Sequence, residues 1–146
     1  MTEVQIADRT RDGHRVLSIF GDLDPAAVAK VRRTLQKALL DSPVPVICDL
    51  TGVRSFATAT LTVFSGVLAT VGGWPDASLA LAAPTAPLRE ALGIAGVTSR
   101  VPVFDAVESA VASPPSAWRP ELLVRTRPLS FSGLAAAEAR TEATAF

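Results

Sequence analysis

Thr58, Thr60 and Thr62 place three hydroxyls close behind an apolar run that ends in Asp49-Leu50-Thr51-Gly52-Val53. Threonine is a poor helix-interior residue, so a cluster at the expected start of a helix needs a use. The spacing predicts a strand over 44–50, a turn at Asp49–Gly52, and a helix from about Thr58 to Val71. The first turn of a helix has unpaired N–H groups and the positive end of the dipole, so it tolerates added negative charge. A hydroxyl there suits chemistry in which a phosphate is gained and lost. Thr58 is the candidate acceptor and Thr60 the fallback. The plain role for Thr58 is an N-cap, worth about 1 kcal/mol.

Other chemistry is sparse. His14 is the single histidine and Cys48 the single cysteine; His14 is expected on a solvated hairpin with no nucleophile assigned to it, and no metal-ligand cluster is evident. No Gly-rich phosphate loop is present. The expectation is a protein that is not an enzyme, with no catalytic residue, no metal and no cofactor. Cys48 lies in an apolar strand pattern and reads as a buried core thiol. His14 follows the Asp12-Gly13 turn and reads as a solvated hairpin residue. Trp74 and Trp118 read as packing residues.

Fourteen basic and fourteen acidic residues cancel, which gives no reason to expect direct nucleic-acid or anionic-membrane contact. The N-terminus has no secretory pattern and no apolar run of about 18 residues could span a bilayer. A cytoplasmic location is expected. Hydrophobic residues make up 49% of the 146, enough for one sizeable core.

The hydroxyls need a frame to hold them. Val4 and Ile6 alternate with polar neighbours as in a half-buried strand, Asp12-Gly13 signals a hairpin, and residues 15–20 return. Asp24-Pro25 opens a helix with Val28, Val31, Leu35 and Leu39 on its inner stripe. In the second helix Leu61, Phe64, Leu68 and Val71 form the inner stripe, and Val63 and Val67 are expected on another side as an apolar contact face. Residues 78–82 form a further strand, 87–92 a short helix, 101–104 a last strand, and Asp105 is expected to cap a closing helix to about Ala112. Strand and helix alternate after the first hairpin. This predicts an α/β domain with a mixed, mostly parallel sheet of about five strands and four helices. Pro114-Pro115 marks its end, giving a domain over 1–113 and a C-terminal extension over 114–146. Leu122-Leu123-Val124 is a candidate edge strand and 133–144 an Ala-rich helix; pairing with a second copy, as a homodimer, is one use for such an extension.

Four segments in this order resemble the STAS family, which includes anti-sigma-factor antagonists and the cytoplasmic ends of sulfate transporters. Gly21-Asp22-Leu23-Asp24 is similar to the family's Gly-Glu-Leu-Asp, and Asp49-Leu50-Thr51-Gly52-Val53 to its Asp-Leu-Ser-Gly-Val. Leu92–Val97 resembles its closing Leu-Thr-Gly-Leu turn. Val103-Phe104-Asp105 with Glu108 and Ala110 resembles its final strand and helix. The resemblance covers about residues 3–113. It implies a regulatory protein-binding module, an anti-sigma-factor antagonist, whose partner is an anti-sigma factor with a kinase-type ATP-binding fold. Thr58 falls on the family's phosphoacceptor and Asp24 on a residue that contacts the partner; Thr62 and Val63 are expected to complete the partner-binding face with them. The acceptor motif is degenerate: Ala57 stands where the family has Asp, and Thr60 where it has Gly. The alternative is a scaffold subunit of a signalling or lipid-transport complex that is never phosphorylated.

Overall fold

The computed structural model describes residues 3–41, 44–74 and 77–118. The edge strand and Ala-rich helix expected in the extension lie outside the described residues. Among the described residues the sheet has five strands, β1 (Gln5–Arg11), β2 (His14–Leu23), β3 (Val46–Phe56), β4 (Leu79–Ala82) and β5 (Val103–Phe104), in spatial order 1-2-3-4-5. β1 and β2 are antiparallel across Asp12-Gly13, both of which adopt positive φ (49° and 79°) as a tight hairpin demands. The other three pairs are parallel. Among the described residues four α-helices occur, α1 (Val28–Asp41), α2 (Val63–Thr70), α3 (Ala86–Ile94) and α4 (Val107–Ala112). The expected α/β architecture is therefore the observed one.

Alternation splits the strand residues between two cores. On one face Leu17, Ile19, Cys48, Leu50, Leu79 and Leu81 meet Val31 and Leu35 of α1, Phe64 and Leu68 of α2, and Leu88 and Leu92 of α3. On the other, Val16, Ile47, Ala80 and Ala82 meet Val107 and Ala110 of α4 together with Trp118. The inner stripes expected for α1 and α2 are thus confirmed. Burial pushes the Cys48 thiol up, with the neighbouring Asp49 charge adding to it, so this cysteine is an inert core residue.

Three local expectations are corrected. There is no turn at Asp49–Gly52: β3 runs straight on to Phe56. It absorbs two extra residues as bulges, since Ser18 pairs with Asp49 but Phe20 with Gly52, and Gly21 pairs with Val53 but Asp22 with Ser55. The Asp49 carboxylate stabilises the first bulge by accepting from the Thr51 N–H (3.0 Å) and hydroxyl (2.6 Å). Gly52 makes room for Phe20 there, since a Cβ would stand 2.3 Å from its ring and the ring would have to move. His14 is buried, not solvated: its Nδ1–H donates to the Asp12 carbonyl at 2.9 Å, and its ring lies 6.0 Å from that of Trp118. Asp105 does not cap α4. It reaches back to Arg89 at 2.7 Å, and Ala106 occupies the cap position.

Packing continues beyond Pro114. Residues Pro115–Ala117 form a 3₁₀ turn, the Trp74 indole donates to the Pro115 carbonyl at 3.1 Å, and Trp118 is 1% exposed. No helix among the described residues is long and apolar enough to cross a membrane.

Candidate functional site

The threonine cluster sits at the carboxyl end of β3, where the chain leaves the sheet. Phe56 pairs with Leu23, the last residue of β2. The Leu23 carbonyl then accepts from the Ala57 N–H and from the Thr60 hydroxyl, both at 2.9 Å. One backbone oxygen therefore ties together the exits of two adjacent strands. Asp24 follows it on one side, and Thr58 lies one residue past Ala57 on the other.

The exit of β2 is set by a helix cap. Asp24 has extended backbone, and its Oδ1 accepts from the Ala27 N–H at 3.0 Å. Pro25 supplies a fixed φ at the first helical position, and a short 3₁₀ turn (Pro25–Ala27) leads into α1. The expected cap is therefore present and leaves the second carboxylate oxygen for other contacts. Nearby, the Ser55 hydroxyl donates to Asp22 at 2.8 Å.

The exit of β3 differs from expectation. Residues Thr58–Thr62 form a 3₁₀ helix and only Val63–Thr70 is α-helical. Ala57 occupies the cap position and has no side-chain oxygen to offer, so Thr58 is not the cap. Instead Thr58 is the first helical residue and is exposed. Thr60 is buried, and its hydroxyl donates to both the Leu23 and Ala57 carbonyls (2.9 and 2.6 Å). The fallback acceptor thus carries the joint. Thr62 is exposed, with its hydroxyl on the Ala59 carbonyl at 3.2 Å.

Thr58, Thr62 and Asp24 are brought to one end of the sheet; Val63 is not at the surface. It is 6% exposed and belongs to the core with Val67, so the expected apolar contact face of the second helix does not exist. Its outward side carries Ser65, Gly66, Ala69 and Thr70 instead, a set the sequence reading passed over. Among the described residues no group of His, Cys, Asp and Glu could hold a metal.

The STAS domain family model matches residues 5–110. This chain belongs to the STAS family. No curated protein sequence matches it, but several solved structures share its fold. An anti-sigma factor antagonist from Mycobacterium paratuberculosis superposes with a TM-score of 0.66 at 17% identity, over 75% of this chain and 92% of that one. The Bacillus cell fate determinant SpoIIAA in its phosphorylated form gives 0.53 at 16% identity, over 73% and 96%. The STAS domain of a Vibrio cholerae SulP transporter gives 0.52 at 14% identity, over 71% and 81%.

Proposed function

We propose that this STAS domain is an anti-sigma-factor antagonist, a non-catalytic regulatory module switched by phosphorylation of Thr58. Its partner is an anti-sigma factor with a kinase-type ATP-binding fold. The observation that carries the reading is the exposed Thr58 hydroxyl at the first helical position, at the joint that also seats Asp24. The phosphorylated Bacillus protein of the same fold supports it.

The switch is electrostatic. Phosphorylation adds about −1.5 to −2 charges. The free domain accommodates them at a helix start, with attraction of about 0.3–1 kcal/mol. A complex that buries Thr58 has to desolvate the phosphate, at a cost of several kcal/mol. A loss of about 3 kcal/mol weakens binding more than a hundredfold. Thr60 stays bonded throughout, so no refolding is involved.

The test is to express the chain with ATP-binding anti-sigma proteins from its own genome and follow transfer of labelled γ-phosphate. Transfer to wild type and not to Thr58→Ala is expected. Thr58→Glu should weaken binding to that protein about a hundredfold with an unchanged far-UV spectrum. Equal binding of wild type and Thr58→Glu sinks the switch. It leaves the non-phosphorylated scaffold reading, which the SulP transporter domain of the same fold favours.

A further inference from the structure

A trough of about 460 Å³ runs along the outer side of α2, walled by Arg32 and Gln36 of α1 and by Arg100 beyond α3. Ser65, Gly66 and Ala69 lie on its floor. Gly66 sits within a helix, where glycine is a weakening choice. Neither backbone nor packing asks for it: it is free of positive φ, and an added Cβ would meet nothing within 4 Å. What the missing side chain does is keep the floor low.

The walls are cationic, and among the described residues no carboxylate neutralises them. Arg9, Arg11, Arg15 and Arg89 all engage a carboxylate. Among the described residues no such pairing occurs at Arg32 or Arg100, and no acidic residue lines the trough. Two guanidinium groups facing a floor of small residues suit an α-helix whose own small face lies against α2 and whose flanking carboxylates meet the arginines. A second copy set trough to trough would oppose like charges.

We propose that the trough seats an acidic helix of a protein partner. The proposal deepens the reading above, since the trough begins at Thr62 beside the acceptor, but it stands on different residues. In such a complex Thr58 acts as the switch and the trough as a constant anchor.

The experiment titrates the ¹⁵N-labelled full chain with a synthetic helical peptide of about 15 residues, alanine on one face and glutamate on its flanks. Its twin carries lysine for glutamate. Amide signals of Ser65, Gly66, Ala69 and Arg100 should move with the glutamate peptide, and binding of the lysine twin should be at least about tenfold weaker. The double variant Arg32→Glu, Arg100→Glu should invert that preference. Gly66→Leu should abolish binding of either peptide with the remaining amide spectrum retained. Shifts scattered elsewhere, no shifts, or indifference to peptide charge would overturn the proposal. No kinase is involved, so failure here leaves Thr58 untouched, and failure of phosphate transfer leaves the trough intact.

Discussion

The hydroxyls of Thr58 and Thr60 are two residues apart and meet different surroundings. Thr60 is buried on two carbonyls, whereas Thr58 is exposed at the first helical position. Thr60→Ala should therefore cost about 1–3 kcal/mol in urea unfolding, against less than about 0.5 for Thr58→Ala. The sequence pointed to the cluster but could not divide its labour. The bond from Thr60 reaches back 37 residues to Leu23, and no local pattern encodes it. Val63 was misplaced for a different reason. It and Val67 stand one residue before Phe64 and Leu68 in the same α-helix, and because α2 packs on α1 as well as on the sheet, its buried face is broader than the single stripe expected.

At the scale of elements, β3 decides where the threonines stand. Its two bulges carry the strand to Phe56, well past the Asp-Leu-Thr-Gly segment that reads locally as a turn. Aspartate, threonine and glycine are turn residues in isolation; here they serve a bulge, with Asp49 holding Thr51 and Gly52 making room for Phe20. Gly52→Ala should accordingly destabilise the domain by about 1–3 kcal/mol through overpacking. Adding Phe20→Ala should recover part of that loss, because the two changes meet at one contact; simple additivity in denaturant titrations would contradict this account. The helices were more legible. The α1 stripe and the Asp24-Pro25 start are local signals, and tertiary packing left both in place. Asp105 was a cap by type alone, and Arg89 offered it a charged partner instead.

For the molecule as a whole, the element order was readable from alternation, but the second core was not. Its closing residue, Trp118, follows two prolines that look like a boundary, and it completes a layer with His14, Val16 and Ile47 from far earlier in the chain. A chain ending at Ser113 should consequently be less stable than one ending at Trp118 by about 3–5 kcal/mol, the usual cost of removing a buried tryptophan. Equal melting temperatures would show that the layer contributes nothing. The strand order 1-2-3-4-5 carries a further consequence. Each strand joins the one made just before it, so no pairing skips a strand, although each parallel pair must still close a crossover that carries a helix. Such a sheet can be laid down row by row from the amino end during synthesis, with the exits of β2 and β3 tied together as soon as Thr60 has been added.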